Sequence, residues 1–344
     1  MSRQLRTVWT AITLLSVMVM QSAHAAPIDA FTQATRLGRG VNVLGYDPLW
    51  TDASKARFKP PLFRVIHQGG FQTVRVNLQA FAHMDSSNQL DPQWLQSLDT
   101  VVKQATDAGL NVILDEHDFH PCAQDAAVCR TKLLAFWSQI APRYKDAPSS
   151  VFFEILNEPN GELTSDKWNS LLSDALTVIR QSNPKRTVVI GPARGNYFQA
   201  LADLRIPQDD PNIIVTVHYY NPFRFTHQGA PWVKSEIKTQ TGVAWGDKTD
   251  RTKMYHEFDV IADWATAHHR PILLGEFGAY DVAPMQYRLA WTIAVVNAAE
   301  KRHFAWAYWE FEGSFGVYDI GRGQWNEQIH RALVASDHAY IKGE

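Results

Sequence analysis

The sequence predicts an α/β fold, a single (β/α)8 TIM barrel, from three observations. From Gly38 onward, eight short apolar runs alternate with longer segments of helical period. Most of these runs are continuously hydrophobic, as strands covered on both faces are. The alternation fills the chain with no internal repeat and no low-complexity linker that would mark an appended module. Eight strands separated by helical crossovers close into a barrel.

The elements follow in order. The first run is Gly40 to Gly45 and the second Thr73 to Leu78. A helical stripe through Trp94, Leu98, Val101, Ala105 and Ala108 comes next, opened by Asp91-Pro92 as N-cap and N1 and closed by Gly109. Strand three, Val112 to His117, leads to a helical segment over Lys132 to Tyr144. Strand four, Val151 to Glu158, precedes the clearest helix, in which Trp168, Leu171, Leu172, Ala175, Leu176 and Ile179 fall on one face. Thr187 to Gly191 and Ile213 to Tyr220 are strands five and six. Helical segments over Tyr255 to Ala267 and Gln286 to Lys301 flank strand seven, Pro271 to Phe277, and Phe304 to Phe311 is the eighth strand.

Ahead of the barrel, Arg3 and Arg6 precede an uncharged apolar stretch from Val8 to Met20, and Ala23-His24-Ala25 follows. A basic start, a short apolar core and small residues at the A-x-A positions describe a signal peptide, and the apolar run is shorter than a membrane span needs. The expected organisation is therefore a signal peptide over residues 1–25 and a barrel over 26–344, exported to the periplasm or fully secreted. Export makes a bridge between Cys122 and Cys129, the only two cysteines, the expected state. Closing so short a loop contributes at most about 2.5 kcal/mol, enough to stiffen a loop and too little to hold up the fold.

The chain has 344 residues with 33 Lys+Arg against 35 Asp+Glu, so it offers nucleic acid or an anionic membrane no basic surface to hold. Loss of Arg3 and Arg6 with the leader would move the net charge from -2 to -4. The 12 Trp, 11 Tyr and 17 Phe exceed what a core needs, and flat rings beside polar edges suit sugar faces. An uncharged saccharide is the expected partner.

In a barrel, functional groups collect at the C-terminal ends of the strands. Here those ends read Val74-Arg75-Val76-Asn77, Leu114-Asp115-Glu116-His117-Asp118, Asn157-Glu158-Pro159, His218-Tyr219-Tyr220-Asn221, Gly275-Glu276-Phe277-Gly278 and Tyr308-Trp309-Glu310. Glu158 and Glu276 would face one another across one barrel mouth. Glycosidic hydrolysis needs such a pair, one neutral carboxyl to protonate the leaving oxygen and one ionised to attack or to activate water. Desolvation can keep one Glu neutral while a cation such as Arg75 keeps the other charged.

Five motifs, Arg75-Val76-Asn77, Asn157-Glu158-Pro159, His218-Tyr219-Tyr220, Gly275-Glu276-Phe277-Gly278 and the stretch Trp306 to Asp319, together resemble glycoside hydrolase family 5, the cellulase family. The likeness is greatest to bacterial endo-β-1,4-glucanases, which share text similar to Phe225 to Trp232. The resemblance implies a retaining endo-β-1,4-glucanase working by double displacement, with Glu158 as acid/base and Glu276 as nucleophile. It also implies Asn157 at the sugar 2-hydroxyl, Arg75 and Tyr220 holding Glu276, His117 and His218 beside the cut, and Trp309 as a sugar platform. Trp232 is favoured as a second platform, while Trp50 and Trp245 are open between platform and packing.

The sequence departs from the family pattern twice. Asp118 stands where many relatives carry a second His, and the loop Gly45 to Trp50 is worded differently, which bears on the outer subsites and not on the chemistry. No cofactor and no metal are expected. Asp115, His117, His120, Cys122 and Cys129 are close in sequence but lack a helical H-E-x-x-H spacing. A β-mannanase or xyloglucanase of the same fold is the main alternative, ahead of a non-catalytic carbohydrate-binding barrel or a metal-dependent hydrolase. The expected partner is thus a β-glucan, with no nucleic acid, no membrane after leader removal, and a monomeric chain.

Overall fold

Side chains alternate across a strand, so a closed barrel sends every second residue inward and the others under the helices. The computed structural model describes residues 29–335 and bears this out. Eight parallel strands form a closed barrel in sequential order: β1 (Arg39–Val43), β2 (Thr73–Leu78), β3 (Asn111–Glu116), β4 (Val151–Glu154), β5 (Val188–Ile190), β6 (Ile213–His218), β7 (Ile272–Glu276) and β8 (Ala305–Tyr308). β8 pairs back onto β1, Gly40 opposite Ala307. The predicted leader lies outside the described residues. Among the described residues no helix is long and apolar enough to cross a membrane.

The barrel interior is layered. At the floor, Ile113, Phe152, Val189, Ile214, Leu273 and Ala305 form one apolar cluster with Ala30, Ala34 and Leu37. Those last three lie on the helix Ala30–Leu37, which the sequence analysis did not anticipate and which plugs the bottom, its first turn capped by Asp29 accepting from Thr32 N (2.8 Å). Above this floor, the inward positions are Asn42 on β1, Arg75 on β2, Asp115 on β3, Glu154 on β4 and Thr216 on β6, all buried. An apolar floor beneath a polar layer puts the chemistry at the C-terminal mouth.

The outer helices match the predicted stripes, and their starts are set by caps. Asp91 accepts from Gln93 N (2.6 Å) and Trp94 N (3.2 Å) to open the helix Pro92–Asp107, and Gly109 leaves it with φ +86°. The helix Ser165–Ser182 buries all six residues of its stripe. Two helices begin earlier than their apolar pattern indicates. Asp125 caps Ala126–Arg143, and Asp247 caps Lys248–His268 by accepting from Asp250 N (2.8 Å). The helix Met285–Glu300 lies one residue from its predicted bounds. Helices at Pro61–Gln68 and Glu327–Val334 complete the ring.

Several strands end earlier than predicted, and β4 matters most, because it stops at Glu154 and not at Glu158. Beyond it, Ile155 N still reaches Val189 O (3.2 Å) and Asn157 N reaches Glu116 O (2.8 Å), but Glu158 turns into left-handed backbone with φ +40°. The predicted Cys122–Cys129 disulfide is present.

Candidate active site

The site grows from the one cation in the polar layer. Arg75 is fully buried on β2, and a guanidinium offers five N–H donors in a fixed plane. All five are used. Nε donates to Glu154 Oε2 (2.7 Å), and Nη2 donates to Glu154 Oε1 (2.9 Å) and to Asn157 Oδ1 (2.8 Å). Nη1 donates to Asn42 Oδ1 (2.9 Å) and to Glu276 Oε1 (2.8 Å). Asp115 Oδ1 lies 3.1 Å from Nη2 as a charge contact, yet it receives no hydrogen bond because no donor of Arg75 remains.

Glu276, at the end of β7, is held on both oxygens, since Tyr220 donates its hydroxyl to Oε2 (3.0 Å). Burial, with Glu276 and Glu158 alongside, holds the Tyr220 phenol well above its ordinary range, so it stays a donor. Glu158 is placed differently. One oxygen, Oε1, lies 2.8 Å from His218 Nδ1, which is itself 3.5 Å from Glu276 Oε2. Burial lowers His218 to about 4, which makes it a neutral imidazole. Nδ1–H then donates to Glu158 while Nε2 accepts from Asn196 Nδ2 (3.2 Å), a tautomer assigned from these partners.

Burial pushes the Glu158 carboxyl up to about 7, against the pull of His117 and Arg75. Two carboxyls at one mouth therefore have different surroundings, one against a guanidinium and the other in a desolvated setting beside a neutral imidazole. One oxygen of each lies within 4.8 Å of the other, with His218 between them.

A second wall is built from His117. Its Nδ1 lies 2.5 Å from Asp115 Oδ2, its Nε2 is 3.4 Å from Asn157 Nδ2, and its ring lies parallel to Trp309 at 5.7 Å. Burial opposes the imidazolium, but Asp115 more than offsets it and raises His117. Trp232 is 61% exposed and stands at the rim, joined to the centre through Phe315, whose ring is 6.4 Å from both Trp232 and Tyr220. Trp50 and Trp245, at 6% and 4% exposure, are packing residues. The Trp50 indole N–H is spent on Leu44 O (2.8 Å). Asp118 accepts from Phe81 N (2.7 Å), tying the β3 loop to the β2 loop.

The structure thus brings Arg75, His117, Asn157, Glu158, His218, Tyr220, Glu276 and Trp309 into one cleft and leaves Trp232 at its edge. Sequence reasoning missed Asn42, Glu154 and Asn196. A charge inside the apolar run Val151 to Leu156 was the available signal for Glu154. Cys122 and Cys129 are bonded to one another, and Asp115 and His117 to one another, so four of the five sequence-adjacent residues considered as metal ligands are otherwise committed. Among the described residues, the side chains that could converge on a metal are Glu158, His218 and Glu276, and Arg75, Tyr220 and the His218–Glu158 bond already engage them.

Comparison with known proteins agrees with this arrangement. The model of the family Cellulase (glycosyl hydrolase family 5) matches residues 35–314. Endoglucanase H of Acetivibrio thermocellus is 28% identical over 305 residues, covering 87% of this chain and 32% of that protein. Endoglucanase 3 of Fibrobacter succinogenes is 25% identical over 341 residues, covering 83% of this chain and 51% of its own. The chain thus spans about a third of the first of these relatives and about half of the second. The endoglucanase Cel5A of Thermotoga maritima superposes with a TM-score of 0.84 at 40% identity, covering 89% of this chain and 100% of that one. A structure of the same enzyme holds a mannotriose substrate and is 39% identical, with the same TM-score and coverage.

Proposed function

Because this chain belongs to the cellulase family, glycosyl hydrolase family 5, we propose that it is a retaining endo-β-1,4-glucanase with Glu158 as acid/base and Glu276 as nucleophile. The observation that carries this reading is the pair of carboxyls within 4.8 Å, one against Arg75 and the other raised by burial to about 7. Retention needs carboxyl groups about 5 to 5.5 Å apart, whereas inversion leaves room for a water between them.

Glu276 attacks the anomeric carbon while Glu158 gives its proton to the departing glycosidic oxygen. The bond that forms is Glu276 Oε–C1, and the one that breaks is C1–O. Glu158, now ionised, takes a proton from water, which displaces Glu276 and regenerates both residues. His218 occupies Oε1 of Glu158, leaving Oε2 to carry the proton. Asn157, held by Arg75, is placed for the sugar 2-hydroxyl, where a bond that tightens in the transition state is selectively stabilising. Trp309, stacked parallel to His117 in the cleft, and Trp232 at its rim serve as sugar platforms. The organisation that goes with this function is a signal peptide over residues 1–25, removed on export, and a barrel over 26–344.

The test is the product anomer by NMR on a soluble β-1,4-glucan. A β product formed first is expected, and an initial α product overturns retention. Mannan is the second substrate reading, favoured by the mannotriose complex of the T. maritima relative. Initial rates on cellulose, mixed-linkage glucan, xyloglucan and mannan rank the choices, with a β-1,4-glucan expected first.

The pH dependence has a definite sign. A carboxyl raised to about 7 is protonated below that pH and loses its acid function above it. kcat/KM on an unactivated glucan should therefore fall above about pH 7, approaching tenfold per pH unit. A rate that stays flat to pH 9 would remove Glu158 from the acid role.

A further inference from the structure

Glu158 sits in left-handed backbone, with φ +40°. For a residue with a long side chain this conformation persists only where the surroundings impose it. Asn160 supplies the nearest support, donating its side-chain Nδ2 to the carbonyl of Glu158 (2.7 Å). The turn continues through Gly161, itself at φ +58°, and Glu162 N donates to Ala123 O (2.9 Å). A Cβ at Gly161 would lie 2.5 Å from that same Ala123 oxygen, so the turn is pressed directly onto the backbone of the helix Phe119–Gln124.

A helix of six residues has little stability of its own. This one is fixed from outside. Cys122 is bonded to Cys129 in the 18-residue helix Ala126–Arg143, and both cysteines are fully buried. Asp125 N donates to Pro121 O (3.1 Å), and the Asp125 side chain accepts from Ala127 N (2.8 Å) and Val128 N (3.0 Å), which sets the corner between the two helices. At its other end the short helix carries Phe119, whose ring meets His117 edge-on at 5.4 Å. One stapled corner thus backs both the turn behind Glu158 and the wall at His117.

We propose that the Cys122–Cys129 bridge and the Asn160-Gly161 turn seated on it form a positioning device for the acid/base carboxyl. They act by fixing where Glu158 can place its proton. The inference rests on the assignment of Glu158 as acid/base. A displacement of about 1 Å at a reacting group can cost up to about a hundredfold in rate.

The test exploits leaving-group dependence. A β-cellobioside of 2,4-dinitrophenol departs without protonation, whereas one of a simple phenol needs the acid, and kcat/KM reports formation of the glycosyl-enzyme in both cases. The variants are Asn160→Ala, which keeps the bridge, and the double change Cys122→Ala with Cys129→Ala. Each should lose about tenfold to a hundredfold in kcat/KM on the phenyl glycoside and less than about twofold on the dinitrophenyl glycoside. Equal losses on both substrates, or none, overturn the device. If the double variant fails to fold by circular dichroism, Asn160→Ala decides alone. Glu158→Ala is measured beside them. If it shows no leaving-group dependence, the acid/base assignment falls and the device with it. If it shows the dependence and the other variants do not, only the device falls.

Discussion

Glu276→Ala should lower hydrolysis of a β-1,4-glucan by at least about four orders of magnitude, because the glycosyl-enzyme bond forms on that carboxylate. Glu158→Ala should cost roughly 10²- to 10⁴-fold, the range of a general acid. The two losses are separated by rescue chemistry more sharply than by size. With Glu276 shortened, azide can occupy the vacated space and attack a dinitrophenyl β-cellobioside in one displacement, which inverts the centre and releases the α-glycosyl azide. With Glu158 shortened, the activated substrate still forms the glycosyl-enzyme at Glu276, and azide then displaces it with a second inversion, giving the β-glycosyl azide. NMR of the azide products reads the difference. The β-azide from Glu276→Ala, or near-normal hydrolysis by either variant, would reverse or remove the assigned roles.

The predicted strands lay where the barrel has them, because continuous apolar runs report burial on both faces, and a barrel needs little more. Which strand-end groups meet is a different matter, since it depends on where alternation breaks. Glu154 and Asn157 both bind Arg75, although three residues apart in a straight strand they would point to opposite faces. The strand ends at Glu154 and the chain twists through Ile155 and Leu156, which sends Asn157 back inward and leaves Glu158 in left-handed backbone. No run of residue types shows that twist.

The same limit explains why the sequence named Arg75 as a partner of Glu276 and missed Asn42 and Glu154. Arg75 and Glu276 both lie in motifs of the family resemblance, which implies their pairing, whereas Asn42 and Glu154 lie outside those motifs and meet Arg75 only in the folded barrel, from β1 and β4. Trp50 and Trp245 carried no distinguishing signal either. Each is buried by a loop contact, the Trp50 indole on Leu44 O and the Trp245 ring beneath the Arg251 guanidinium at 5.3 Å, and periodicity does not encode loop packing. The helix starts at Ala126 and Lys248, by contrast, were legible in Asp125 and Asp247 had capping been weighed above apolar period.

Arg75 carries the other large expected effect, because it is a single cation shared by Asp115, Glu154 and Glu276 in a space with no water-facing exit for its charge. Arg75→Met leaves three buried carboxyls facing one another, and removing one partner of a buried ion pair typically costs about 3 to 5 kcal/mol. Arg75→Lys restores the charge with three donors in place of five, so at least two of the present acceptors lose their bonds. It should fall between the wild type and Arg75→Met. The pH dependence follows from the sign of the shifts. Burial already lifts Glu154 to about 7 against the pull of Arg75, which also holds Asp115 below the ordinary carboxylate range; without the guanidinium both move up, and the folded protein holds protons that the unfolded chain has already released. Stability of Arg75→Met should therefore fall as pH rises from about 5 to 8, and its deficit relative to the wild type should widen over that interval. Urea unfolding at the two pH values measures this directly. Equal stability of Arg75→Met and wild type at pH 8 would mean that the three carboxyls are neutralised by something other than Arg75, and the account of how Glu276 is held would fall with it.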